Sequence, residues 1–103
     1  MQWSEYHKDL KLPEGWVDVS YRNDALPSFM SDEDYDKGYH IWVDAKDIKE
    51  RECNSEDIYG LTNELAPRFH VVYEYGSAEN LFTSDDFNEV IQWINTNLKK
   101  VAA

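Results

Sequence analysis

Between Phe87 and Val101 the apolar residues recur at steps of three and four, and this spacing constrains the fold more than any other feature of the chain. Phe87, Val90, Ile91, Ile94, Leu98 and Val101 fall on one side of an α-helix, a stripe that must be covered. Thr83, with Asp86 three residues on, forms an acidic variant of the capping box. Asp85 and Asp86 stand where the helix dipole favours anions, and Lys99 and Lys100 where it favours cations. The pattern predicts a helix over 84–100.

Three segments supply the surface for that stripe. In RFHVVYEY, Phe69, Val71, Tyr73 and Tyr75 alternate with His70, Val72 and Glu74. In YHIWVD, Tyr39, Ile41 and Val43 alternate with His40, Trp42 and Asp44, and in WVDVSY, Val17, Val19 and Tyr21 alternate with Trp16, Asp18 and Ser20. A period of two with one apolar face is the mark of a strand that packs on one side and meets water on the other. A short further strand is expected at 80–82. Residues 3–11 read as a short helix carrying Trp3, Tyr6 and Leu10, closed by Pro13 and Gly15. Residues 55–65 read as another, with Ile58, Leu61 and Leu65 inward, Gly60 interrupting and Pro67 ending it. The expected fold is α+β: a small, mostly antiparallel sheet of three to five strands with the C-terminal amphipathic helix packed on one face.

A chain of 103 residues suits a single domain over 1–103. Aromatic residues make up 15%, too many for a disordered chain despite a mean hydropathy of -0.73. Twenty-one acids against ten bases leave a net charge of -11, which repels nucleic acid and anionic lipid, so direct binding to either is not expected. No apolar run reaches the roughly 18 residues of a membrane span. The stretch MQWSEYHKDL lacks the cationic start and apolar centre of a signal peptide, so a cytoplasmic protein is expected. The one cysteine, Cys53, excludes an internal disulfide, and its acidic neighbours are the wrong surroundings for a reactive thiolate.

Motifs that would carry chemistry are incomplete. In DEDYDKG, Asp32, Asp34 and Asp36 match the first three ligand positions of a calcium loop. The sixth position is then Lys37 rather than glycine, and the twelfth is Val43 rather than glutamate. The simpler reading is one helical turn capped by Ser31 and stopped by Gly38. His7, His40 and His70 stand in separate segments, and no pair among them and Cys53 has zinc-ligand spacing. His40 and His70 fall on the polar faces of their strands, where an exposed histidine is ordinary. Ser20, Ser28 and Ser31 lie in no nucleophile elbow, and there is no glycine-rich phosphate loop. Neither cofactor, metal nor enzymatic activity is expected.

Charge supplies the functional reading. Residues 31–60 hold ten acids against four bases, more than half of the net charge, with aromatic residues interleaved. A charge run is usually a solvated face. Acids mixed with aromatics instead suit a protein-binding patch, since aromatics anchor interfaces and charge steers approach. The expected partner-facing residues are Asp32, Glu33, Asp34, Tyr35, Asp36, Trp42, Asp44, Asp47, Glu50, Glu52, Glu56 and Asp57, with Trp42 as the aromatic anchor. If residues 32–36 were extended, alternate acids would lie about 6.6 Å apart along one face. The segment WVDVSYRNDALPSF, Trp16 to Phe29, resembles stretches of small acidic proteins of phages and other mobile elements whose function is unassigned. The resemblance covers about fourteen residues and carries over no functional residue; as plain structure the segment is a strand, a turn and an edge strand.

The leading expectation is an acidic inhibitor or decoy that occupies a basic, nucleic-acid-binding cleft of a partner protein, similar in size and charge to anti-CRISPR and anti-restriction proteins. An immunity protein or antitoxin that neutralises a basic nuclease would use the same physics. A housekeeping interaction domain is the third possibility. A deep pocket with convergent polar groups would instead favour an enzyme.

Overall fold

The computed structural model describes residues 5–21 and 23–99. Five strands, β1 (Val17–Asp18), β2 (Ser28–Met30), β3 (His40–Val43), β4 (Phe69–Val72) and β5 (Asn80–Ser84), form one antiparallel sheet in chain order. Helix α1 (Ile48–Tyr59) connects β3 to β4, and α2 (Phe87–Thr96) follows β5. The fold is α+β with the C-terminal helix on the sheet, as the spacing predicts.

Register places the core. Phe29 pairs with Ile41, Ile41 with Val71 and Val71 with Phe82, so one row of apolar side chains crosses β2 to β5 on one face. Val43 and Phe69 form a second row. Val90 and Ile94 of α2 close on these rows, with Trp16, Phe82, Phe87 and Trp93 packed around the edge. Trp16 meets Phe87 edge-on at 5.6 Å, and Phe82 stacks on Trp93 at 5.5 Å.

Several elements differ from the sequence expectation for identifiable reasons. Helix α2 starts later, because Asp86 itself is the N-cap and its side chain accepts from the Asn88 N–H. The helix ends at Thr96, so Leu98 is exposed rather than inward; Lys100 and Val101 lie outside the described residues. Strand β1 keeps only Val17–Asp18 and turns Trp16 into the α2-side core, while Val17 pairs with Met30 on the other face. Strand β4 stops at Val72, leaving Tyr73 and Tyr75 exposed in the loop to β5. Residues 5–9 form short turns instead of a helix, with Tyr6 buried and Leu10 against the core; Trp3 lies outside the described residues.

The helix expected over 55–65 is α1, which begins seven residues earlier and ends at Gly60. Gly60 adopts φ 66°, and its N–H reaches Glu56 O while Leu61 N–H reaches Ser55 O, a left-handed cap that suits glycine. Leu65 is consequently exposed. Helix α1 buries Arg51 and Ser55 rather than an apolar stripe, so hydrophobic periodicity could not reveal it.

Candidate functional site

The β2–β3 connection, residues 31–39, carries the densest acids of the expected surface. It is not extended but makes one helical turn that stops at Gly38, as expected, with Asp34 rather than Ser31 as its cap. Asp32 Oδ1 accepts from Asp34 N–H at 2.9 Å and Asp34 Oδ1 accepts from Asp36 N–H at 3.0 Å, two consecutive side-chain turns. Lys37 and Gly38 N–H both reach Asp34 O, and Ser31 Oγ accepts from Tyr39 N–H at 2.8 Å instead of capping Asp34. Gly38 is required here, since a Cβ would lie 2.8 Å from the Asp32 nitrogen. The even ladder of acids along one strand face therefore does not form. Glu33, Asp34, Tyr35 and Asp36 are exposed at the tip of this connection, with Asp32 half-buried.

Tyrosines brace this tip. Tyr35 stacks on Tyr75 of the β4–β5 loop at 5.8 Å and 23°, and Tyr75 stacks in turn on His40 at 4.4 Å. Tyr35 and Tyr75 remain 46% and 43% exposed, Tyr35 with one stacking partner and Tyr75 with two. Burial, then the field of Asp24, Tyr35 and Tyr21, raises the Tyr75 hydroxyl above the ordinary tyrosine value. Lys99 lies 4.2 Å from the Tyr73 ring and 5.1 Å from that of Tyr39. Burial lowers its ammonium pKa against the opposing pull of Glu74 and Asp36.

The remaining acids do not join the tip. Arg51 bonds Asp85 at 3.2 Å, Ser55 Oγ accepts from Ala66 N–H, and Tyr59 stacks on His70 at 5.1 Å. These contacts hold α1 at the end of β3 and β4 opposite the hairpin. Asp47, Glu52, Glu56 and Asp57 are exposed there, and Glu50 is half-buried. Glu52 and Glu56 share a recess of about 430 Å³ with Glu64, Leu61, Asn63 and Leu65. Two of the bases are withdrawn from the surface near this end. Besides Arg51, buried Arg68 grips both oxygens of Asp9 at 2.6 and 3.2 Å and donates to Tyr6 O and Asp44 O. Burial works against the Asp9 carboxylate, but the bonds and charge of Arg68 hold its pKa below the usual value.

One expected surface residue is interior and another is half-buried. Asp44 is 0% exposed, accepting from Ala45 N–H at 2.7 Å and Asn54 Nδ2 at 2.8 Å, and burial raises its pKa. Trp42 is half-buried, packed against a second cluster of Tyr6, Leu26 and Ala45, so part of its ring is spent on packing. The histidines read as exposed are buried as well, His40 at 0% and His70 at 5% exposure. Burial depresses both imidazoles, that of His40 to about 4. Among the described residues no group of three or more histidine, cysteine or acidic side chains is arranged to hold a metal.

Sequence reasoning missed Tyr75, Tyr21 and Asp24 as companions of the tip. Only the long-range pairing of β3 with β4 brings the Tyr75 loop beside residue 35, and no local pattern announces that. Comparison with protein-family models, with curated proteins and with solved structures finds no match for this chain.

Proposed function

We propose that the protein is an acidic binding module whose β2–β3 hairpin enters a basic, nucleic-acid-binding cleft of a partner protein, as an inhibitor or decoy does. The observation that carries this reading is the fixed tip: Glu33, Asp34 and Asp36 flank Tyr35, whose ring is stacked on Tyr75 and half-open to solvent. An exposed hairpin tip is the kind of element that enters a concave partner. The Asp32 and Asp34 carboxylates, fixed by their own turns, supply charge complementarity at low ordering cost, and the stacked tyrosine pair supplies the anchor expected of Trp42. The acids of α1 at the far end add to the long-range field that steers approach.

The test replaces Asp32, Asp34 and Asp36 together by asparagine. Asparagine keeps the side-chain oxygen that accepts from Asp34 and Asp36 N–H, and it removes only the charge. Wild-type protein is expected to retain a basic partner at low salt and to release it to competing duplex DNA and to rising salt. The triple variant is expected to melt like wild type yet lose the partner, mainly through slower association. A partner bound equally by both proteins would remove the hairpin from the function. The identity of the partner then separates a decoy from an immunity protein directed at a nuclease.

A further inference from the structure

The β4–β5 connection is fastened to the sheet through one histidine. Residues 74–77 close on themselves, Ser77 N–H donating to Glu74 O at 2.9 Å and Glu74 N–H to Ser77 Oγ at 3.0 Å. Among the described residues a single hydrogen bond ties this turn to the rest of the protein, from Gly76 N–H to His40 Nδ1 at 3.1 Å. The Tyr75 ring lies over the same imidazole at 4.4 Å and 20°, and its other contact is the stack with Tyr35 of the acidic hairpin. Beyond it, Ser77 and Ala78 border a cavity of about 310 Å³ between Trp42 and His70.

His40 holds the turn only while it is neutral. An amide N–H donates, so Nδ1 accepts and the imidazole proton sits on Nε2, which is buried with no partner among the described residues. A second proton has only Nδ1 to go to, where it takes the lone pair that the Gly76 bond uses. The side chains facing the ring are Met30 of β2, Trp42 of β3, Val72 of β4 and Tyr75 of the turn, all uncharged between pH 4 and 7. The charged groups nearby act elsewhere, Asp24 on Tyr75, and Glu74 and Asp36 on Lys99. Burial alone lowers the His40 pKa, to about 4. His70, on the same face, is the contrast. Its Nε2 donates to Pro67 O and the Asn80 side chain favours its charged form, so its protonation breaks no bond to the turn.

We propose that the β4–β5 turn is an acid-released clasp: a proton taken up at His40 Nδ1 displaces Gly76 N–H, the turn lifts from the sheet, and Tyr35 loses its stacking partner Tyr75. Opening and proton uptake are linked, because the imidazole reaches water only when the turn has lifted, and there it titrates near its ordinary value. The sign follows from the open form binding the proton more tightly. Opening rises as pH falls below 6.5 and levels off near 4, which amounts to about twentyfold between pH 7 and pH 5. The clasp acts on the brace of the hairpin whatever partner the tip meets, and its release also uncovers the Ser77 side of the cavity.

Amide hydrogen exchange of the intact protein tests this, with rates corrected for the intrinsic pH dependence of exchange. Gly76 is expected to exchange faster than the core amides of Ile41 and Val71 at pH 7, since a turn opens without the sheet. Its corrected rate is expected to rise about twentyfold from pH 7 to pH 5. His40→Asn brings a carbonyl oxygen to accept from Gly76 and does not titrate, so its rise is expected to stay below about threefold. Tyr35→Ala removes the far side of the stack and is expected to speed Gly76 exchange about threefold at both pH values. A wild-type rise below about threefold, a rise of equal size in His40→Asn, Gly76 exchange no faster than that of the core amides, or no response to Tyr35→Ala would each overturn the proposal. Should His40→Asn fail to fold, the wild-type rise and its comparison with the core amides decide.

Discussion

The two faces of the sheet solve the same problem with different chemistry. On the face toward α2, Phe29, Ile41, Val43, Phe69 and Val71 meet Val90 and Ile94, and the polar groups lie at the margin, where the Tyr39 hydroxyl donates to Asn97 O and His7 packs on Phe29. On the other face, Ser28, Met30, His40, His70 and Val72 are buried to the same degree. There Ser28 Oγ, His40 Nε2 and His70 Nδ1 have no hydrogen-bond partner among the described residues. The first face is closed by one amphipathic helix. The second is covered piecemeal by α1, Tyr6 and the β4–β5 loop, and the cavity between Trp42 and His70 is where that cover is incomplete. Helix coverage allows a mostly apolar face, whereas cover by loops and a polar helix uses more side chains that are part ring and part polar group.

Neighbouring residues of β3 offer the sharpest contrast, because Ile41 and His40 are both 0% exposed and point to opposite faces. Ile41→Ala is expected to destabilise by about 2–5 kcal/mol in a denaturant melt, and Ile94→Ala on α2 by a similar amount. A loss below about 1 kcal/mol for both would show that α2 does not close the core. Arg68→Met ranks next, at about 2–3 kcal/mol. It strands the Tyr6 and Asp44 carbonyls, yet Asp9 retains water on one side, so the loss falls below that of a fully buried pair.

His40→Phe is expected to destabilise by about 1–2 kcal/mol at pH 7, since it removes an unpaired buried donor and keeps the ring contacts to Trp42 and Tyr75 but also removes the Nδ1 that accepts from Gly76 N–H. Its effect lies in the pH dependence. The folded imidazole resists protonation down to about 4 against an ordinary 6.5, so the unfolded chain binds the extra proton between those values. Wild type should therefore lose stability as pH falls through that window, by at most about 3 kcal/mol, and the phenylalanine variant should lack this component. Parallel pH profiles for the two proteins would show that His40 is not buried as described. The smallest effect belongs to the triple asparagine variant of the hairpin, within about 0.5 kcal/mol per site, because its residues contact solvent rather than either face.

The difference between the faces also explains what could be read from the residues alone. Period-two alternation in HIWV and FHVV identified the α2-side rows, and the three-four spacing from Phe87 identified the helix above them. The same alternation cast His40, Trp42, Asp44 and His70 as solvent-facing, because a polar atom on a strand says nothing about what lies over it. Their cover comes from Tyr6 and Ile58, distant in sequence, and from α1, whose buried Arg51 and Ser55 carry no hydrophobic signal. The acidic tip was legible as composition, from Asp32 to Asp36. Its geometry was not, since it depends on Asp32 and Asp34 bonding their own backbone and on a tyrosine forty residues away.

Arg68 has a consequence for the order in which the chain can assemble during synthesis. The meander joins each strand to the one made just before it, so β1, β2 and β3 pair as they emerge. The segment bearing Tyr6 and Asp9 has only the exposed His7–Asp18 bond and the His7–Phe29 ring contact to hold it at that stage. Its clamp lies 59 residues downstream of Asp9, roughly 3–12 s later at ordinary elongation rates. Through that interval Tyr6 and Asp9 leave the ribosome before the residue that clamps them exists. A nascent chain stalled short of residue 68 should leave its leading segment open to protease, and one stalled far enough beyond it for Arg68 to emerge should protect that segment.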